Sequence, residues 1–500
     1  MFSDKYLYRF PWLVLGTAFV LVALGVAGIY AATAGDEEPP AFWGSLAARQ
    51  LVFLGPALAV FGAALVPSYV RLARFSYYFY GICLVVLAAL AVMRWFDLVV
   101  PGVVYPINNA YSWISIPGTG IKFQPSELMK IAFLMALAYY LRYRKNYRTF
   151  AGLLPPFVMA LVPTALVLYQ PDLGTAMLFL PVLFLMLFAA GARGKHLLAV
   201  IAMGLAMVPI FYVSMKGYQR MRIDAWLLQP CAERLHFAIL GGEPGAGGGA
   251  AAPAAADEGA EAAPRQAAAP PAARPRLSDE HKAELVREVT TTWRFRLWRL
   301  AAGAALRRET STFSLARDRL FESLRTTGYS PQSFDALRGF FGTLLAGPGH
   351  QLWQAKIAVG AGGALGRGWL QGTQTRHGLL PEAHTDFLFP TIAEQFGFWG
   401  AALIVVLYGL LALFGVDVSF STTEPYGKLV VVGVVGVFSA QAFLNIAMSI
   451  GLMPITGVPL PLMSYGGSSL LASFLALGLL CNVGVRRLFL IAPRPFEWRE

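Results

Sequence analysis

Ten stretches of this chain are apolar over most of the roughly 20 residues a helix needs to cross the hydrocarbon core of a bilayer. They lie at about 11–32, 50–66, 75–93, 127–141, 151–169, 173–190, 197–214, 397–415, 429–449 and 467–485. A backbone entering hydrocarbon must satisfy its own N–H and C=O groups, so such stretches fold as helices. The expected fold class is an all-α polytopic membrane protein with about ten transmembrane helices. The first stretch is too long for a cleaved signal peptide, and no small-residue cleavage site follows it before Asp36-Glu37-Glu38, so it is expected to remain as a span. Of the 68 charged residues, 28 fall within 231–350. Elsewhere roughly one residue in ten is charged, against about a quarter in soluble chains. The net charge of +12 does not point to nucleic acid, because the basic residues are scattered in short clusters between apolar runs. Cys83, Cys231 and Cys481 lie in different segments, without metal-ligand spacing or a disulfide pattern.

Those clusters encode topology. Lys5 and Arg9 precede the first span, and Arg71 and Arg74 lie between the second and third. Arg142, Arg144, Lys145 and Arg148 follow the fourth, Arg193 and Lys195 the sixth, and Arg486, Arg487, Arg494 and Arg499 the tenth. With alternating spans all of these share one side, which the positive-inside rule makes cytoplasmic. The loop at 416–428 follows the rule weakly, Lys428 being offset by Asp417 and Glu424. Both termini are then cytoplasmic, and a long extracytoplasmic loop joins the seventh and eighth spans. The expected organisation is spans one to seven in 1–230, an extracytoplasmic insertion at 231–348, and a loop with the last three spans in 349–500. Within the insertion, 240–276 reads as a disordered Ala/Pro/Gly linker. Ser278 then caps an amphipathic helix at about 279–308, with Leu285, Val286, Val289, Trp293 and Leu297 on one stripe beside Arg294, Arg296 and Arg299. That helix either lies on the membrane surface or packs within a small helical part that continues to 345.

Four stretches place polar groups where lipid would not tolerate them, which points to function. In QPSELMK, Pro125 suits a first helical turn, and Glu127 and Lys130, three residues apart, share a face and can pair. The pair either does chemistry or anchors a helix end. In YQPDLGTA, Asp172 sits at a tight turn and can cap the next helix. Residues 351–398 hold Gly360, Gly362, Gly363, Gly366 and Gly368, suited either to close packing or to cradling phosphate. Glu382, His384, Asp386 and Glu394 follow at the lip of a span, where a carboxylate beside Phe387, Leu388 and Phe389 can act as a base or serve only as a cap. In GLMPITGVPLPLMSYGGSS, prolines and glycines break apolar sequence, and broken backbone at membrane depth needs a protein or wet lining. Composition and spacing do not separate an enzyme from a transporter.

Together these blocks resemble the SEDS family (shape, elongation, division and sporulation), the polytopic cell-wall glycosyltransferases. WIS…QPSELMK, QPDLGTA, YQRMRI at 218–223, Q…GAGGALGRG…LPEAHTDFLF…AEQFGF and LMPITGVPLPLMSYGGSS occur in the family's order, over nearly the whole chain except about 231–348. GTQ at 372–374, YQPDLGT and GVPLPLMSYGG are similar to the rod-elongation, RodA-like branch. The resemblance implies a peptidoglycan glycosyltransferase at the outer face of the bacterial cytoplasmic membrane, polymerising lipid II, with a class B penicillin-binding protein and other elongation or division machinery as partners. It implies Asp386 as the essential carboxylate, with Lys130 and Glu127 as further catalytic residues. Gln124, Ser126, Asp172, Gln219, Arg220, Arg222, Gln351, Gln354, Glu382, His384, Glu394, Ser464 and Tyr465 are expected to line the substrate. Charge on a departing diphosphate is expected to be offset by Lys130, Arg220, Arg222 or a divalent cation, Mg2+ or Mn2+. The chain departs from the family at Tyr111-Ser112, where an Arg is usual, and at His350 and Lys356. A lipid II flippase, a division-type (FtsW-like) enzyme and a non-catalytic scaffold are the competing readings.

Overall fold

The computed structural model describes residues 10–34, 42–101, 103–105, 111–115, 122–144, 146–215, 217–240, 278–304, 312–327, 330–345 and 348–486. In chain order the helices are α1 (Trp12–Thr33), α2 (Leu46–Leu65), α3 (Tyr69–Trp95), α4 (Pro125–Leu141), α5 (Leu154–Tyr169), α6 (Leu173–Ala190), α7 (Gly194–Ser214) and α8 (Gly217–Leu240). Then follow α9 (Asp279–Thr291), α10 (Trp293–Ala304), α11 (Thr312–Thr326), α12 (Pro331–Leu345) and α13 (Pro348–Ala361). The last are α14 (Thr373–Arg376), α15 (Leu388–Phe420), α16 (Pro425–Ser449) and α17 (Gly467–Arg486). A two-residue antiparallel pair, β1 (Ile114–Ser115) with β2 (Lys122–Phe123), precedes α4 and registers Ile114 on Phe123. The chain forms two compact units, one of residues 1–206, 362–452 and 456–500, the other of 207–361 and 453–455.

All ten expected spans are helices, so the all-α polytopic fold stands. Among the described residues, nine are long and apolar enough to cross a membrane: α1–α3, α5–α7 and α15–α17. Their outward faces are apolar, as at Leu198 on α7 and Phe188 on α6, and suit lipid contact. The remaining span, α4, has 17 residues and is enclosed by protein, packed by α3, α5, α6, α16 and α17. That enclosure is what allows α4 to carry two charged side chains. The eighth span was expected to begin at 397; its helix begins at Leu388 and breaks at Gly397.

In the second unit, the single helix expected over 279–308 is two, α9 and α10, because Thr292 is extended (ψ 142). The Ser278 side chain caps α9 by accepting from the His281 N–H at 3.3 Å. Leu285, Val286, Val289, Phe295 and Trp298 are buried in one core with Leu228, Cys231 and Leu235 of α8 and Phe334, Leu337, Phe340 and Phe341 of α12. Leu297, expected on the same stripe, is exposed. The linker expected over 240–276 lies outside the described residues, except Leu240 at the end of α8.

That core encloses a carboxylate. Asp224 on α8 accepts from the Tyr212 hydroxyl at 2.5 Å, and burial pushes it up to about 7, against opposing pulls from Tyr212, Arg317, Trp298 and Arg220. A carboxyl raised on folding holds its proton in the folded state where the unfolded chain has lost it. Its contribution to stability is complete below the ordinary carboxylate range and is lost as pH rises to 7. Thermal unfolding of the second unit should therefore weaken from pH 4 to pH 7, by at most about 4 kcal/mol. Asp224→Asn, which keeps the Tyr212 hydrogen bond, should flatten the profile; an unchanged pH dependence in that variant would contradict the assignment.

Candidate active site

The site is built on a helix that breaks. Gly397 adopts φ 64, ψ −157, a region open essentially to glycine alone. The break frees backbone groups, and the glycine-rich segment after α13 takes them up. Arg367 and Gly368 donate their N–H groups to the carbonyls of Glu394 and Gln395 at 2.9 and 3.0 Å, and Phe398 donates to the Gly363 carbonyl at 2.8 Å. The approach demands glycine: a Cβ on Gly362 or Gly366 would lie 2.0 Å from the carbonyl oxygens of Ala393 or Gln395. Of the two roles open to these glycines, close packing is the one visible here. Glu394, fully buried, reaches back across the same junction. Its carboxylate accepts from the Gln374 N–H (2.7 Å), the Thr375 N–H (3.2 Å) and the hydroxyls of Thr373 (3.3 Å) and Thr375 (2.7 Å), fastening α14.

Asp386 ends the turn that leads into α15. Its N–H donates to the Glu382 carbonyl at 3.1 Å, and Glu382 itself is exposed with φ 53. Three successive carbonyls of this turn each meet a different donor: His384 that of the Tyr465 N–H (3.0 Å), Thr385 that of the Ser464 hydroxyl (2.5 Å), and Asp386 that of the Asn445 amide (2.7 Å). With its main chain so held, the half-buried Asp386 carboxylate lies against Gly457, where a Cβ would stand 3.3 Å from Oδ2. The loop at 456–466, which supplies Gly457, Ser464 and Tyr465, is itself anchored. The Gln50 side chain donates to the Ser464 carbonyl at 3.1 Å and accepts from the Gly466 N–H at 3.2 Å. The Tyr408 hydroxyl donates to the Pro461 carbonyl at 2.6 Å. The rings of His384 and Tyr465 stand 5.8 Å apart. Burial holds the His384 imidazole below its ordinary value, with Glu382 pulling the other way.

The start of α6 adjoins this loop, and the start of α4 is tied to α6 through Asp172. Asp172 caps α6 by accepting from the Thr175 N–H at 3.0 Å, and its other oxygen accepts from Gln124 at 2.8 Å and Ser126 at 3.4 Å. Gly174, two residues further, lies against the loop: a Cβ there would be 2.6 Å from the Thr456 carbonyl oxygen. Pro125 opens α4, which places Glu127 and Lys130 on one face, paired at 2.8 Å and both buried. Lys130 shares a narrow apolar cleft with Phe133, Phe179 and Val437. Val437 and Asn445 are eight residues apart on α16, a rise of about 12 Å; Lys130 lines the cleft beside the first, and the Asp386 main chain bonds to the second. Removing one charge of an enclosed pair strands the other, at roughly 3–5 kcal/mol. Lys130→Met should lower the thermal midpoint sharply, and the double variant Glu127→Gln/Lys130→Met should recover most of the loss; equal destabilisation in both would show that pairing is not what matters.

The remaining residues named from the sequence belong to the second unit. Gln219 is buried and Arg222 half-buried. Arg220 donates from Nε to the Met215 carbonyl at 2.8 Å. Gln351 is half-buried on α13, and Gln354 pairs with His350 at 3.2 Å. Lys356 pairs with Glu233 at 2.5 Å. Among the described residues, no three His, Cys, Asp or Glu side chains converge as metal ligands. Three further residues, Gln50, Tyr408 and Asn445, shape the site without belonging to any of the four polar stretches. Asn445 and Gln50 carried a signal, being amides within otherwise apolar spans.

A family model described as a cell cycle protein, FtsW/RodA/SpoVE, matches residues 11–236 and 299–487. The peptidoglycan glycosyltransferase RodA of Treponema pallidum is 29% identical over 389 residues, covering 76% of this chain and 78% of its own. The probable peptidoglycan glycosyltransferase FtsW of Geobacter sulfurreducens is 28% identical over 489 residues, 96% of this chain and 97% of its own. A solved structure concerned with the coordination of polymerization and crosslinking by a peptidoglycan synthase complex shares the fold, with a TM-score of 0.58 and 23% identity over 96% of this chain and 98% of that one. With most of its length matched by the family model and its spans arranged as in that fold, this multi-pass membrane protein belongs to the FtsW/RodA/SpoVE family.

Proposed function

We propose that this chain is a peptidoglycan glycosyltransferase of cell elongation and shape, polymerising lipid II at the outer face of the bacterial cytoplasmic membrane. The observation that carries the reading is the Asp386 turn: one half-buried carboxylate whose main chain is held by three separate donors. Polymerising an α-linked sugar diphosphate into a β-linked glycan inverts the anomeric carbon. Inversion by direct displacement needs one base and no covalent nucleophile, unlike two-step retention. Asp386 takes the proton from the acceptor sugar's 4-hydroxyl as that oxygen forms its bond to C1 of the donor chain. The bond from C1 to the carrier diphosphate breaks, and the electron pair leaves with the diphosphate. Lys130 offsets that growing charge. Its ammonium has three N–H donors and Glu127 orients it through one of them.

The complex containing the similar solved structure joins polymerization to crosslinking. By that analogy, a class B penicillin-binding protein crosslinks the glycan made here. Purified protein supplied with labelled lipid II and such a partner should yield a glycan ladder. Transport of lipid II across vesicle membranes without polymer would replace this reading with the flippase, and neither activity would leave a scaffold.

A further inference from the structure

We propose that Asn445 is a positioning residue for this reaction, acting on Asp386 through the backbone; the inference rests on the glycosyltransferase reading above. Asn445 lies on α16, wholly buried. Its amide nitrogen donates to two carbonyls at once, those of Asp386 and Val458, each at 2.7 Å. A side-chain amide has two N–H donors, so both are committed. The two carbonyls come from the two halves of the site, the turn that ends in Asp386 and the loop carrying Gly457 and Ser464. Asn445 thus adds a third tie between them, beside those from Ser464 and Tyr465, and it is mounted on a packed helix and bonded to the carbonyl of Asp386 itself.

The orientation of the amide is set by its surroundings. Two carbonyl oxygens can be met only by the nitrogen, which leaves Oδ1 buried and without a hydrogen-bond partner among the described residues. Burying an unsatisfied acceptor is unfavourable, so a side chain chosen for packing alone would be apolar. Its effect falls on the main chain of the proposed base. The Asp386 carbonyl and carboxylate are borne on the same Cα, so releasing the carbonyl releases the direction of the carboxylate. Misplacing a reacting group by about 1 Å costs on the order of 100-fold in rate.

The test is steady-state polymerisation of labelled lipid II by the full chain with its partner transpeptidase, normalised to folded enzyme. Hydrogen–deuterium exchange over 382–387 is measured alongside. Asn445→Ala should lower kcat by about 100-fold with KM little changed, and exchange should quicken in the turn. Asn445→Ser, retaining one donor, should restore part of kcat. Asn445→Leu, close in size and without a donor, should be no better than Ala. Wild-type kcat per folded molecule in Asn445→Ala, or equal kcat in the Ala and Ser variants, overturns the proposal while the glycosyltransferase reading stands. If Asn445→Ala does not fold, the Asn445→Ser variant carries the test through the same split between kcat and KM. Absence of glycan from the wild type, with Asp386→Asn no different, overturns both.

Discussion

Asp386→Asn should abolish glycan synthesis while leaving the protein folded and bound to its partner. The carboxamide matches the carboxylate in size. The donors that shape the turn are directed at main-chain carbonyls of His384, Thr385 and Asp386, so the substitution removes none of them. What it removes is the ability to accept a proton from the acceptor sugar. General-base catalysis contributes about 10²- to 10⁴-fold, and no covalent intermediate is available to compensate in a direct displacement. The ladder from labelled lipid II should disappear at unchanged thermal midpoint and unchanged partner co-purification. Normal polymer length and rate in the variant would remove Asp386 from the reaction.

Glu394→Ala should produce the largest structural loss. Four donors converge on this enclosed carboxylate, two of them backbone N–H groups that cannot turn elsewhere. Each buried donor left unsatisfied costs about 1–3 kcal/mol, so the junction between α14 and the first segment of α15 should open. Glu394→Gln should be intermediate, since one oxygen remains an acceptor and the Thr375 hydroxyl can rotate to meet the new amide. Gly372→Ala should resemble the Ala variant, because its Cβ would lie 2.6 Å from Glu394 Oε2. Thermal unfolding and limited proteolysis across 363–376 report the effect. A Glu394→Ala protein with the wild-type midpoint and cleavage pattern would show that the junction is held by something else.

The spans were legible because lipid imposes its demand locally: each needs its own apolar run, and Pro125, Ser278 and Asp172 mark helix starts with chemistry visible in a few residues. Asp172 illustrates the limit. Its capping of α6 follows from position, whereas its bonds to Gln124 and Ser126 join segments 46 and 48 residues apart and have no local trace. The same holds for Glu394, named from the sequence as facing substrate. In the fold its carboxylate closes on Thr373, Gln374 and Thr375, a partnership set by the break at Gly397. That break was itself hidden, because the segment before it carries Glu394 and Gln395 and reads locally as loop; its helix survives only because the glycine segment 363–368 completes its hydrogen bonding. Gln50 and Asn445 were visible as amides out of place, but their targets are main-chain groups, which every sequence contains.

The stretch that the family match passes over, 237–298, supplies Leu285, Val286, Val289, Phe295 and Trp298 to the core beneath α8. Each such side chain, wholly enclosed, contributes about 1.5–3 kcal/mol by leaving water. The fold of α8 therefore depends on a stretch outside the family match: a chain lacking 237–298 would leave Leu228, Cys231 and Leu235 facing water, so the two parts stand or unfold together.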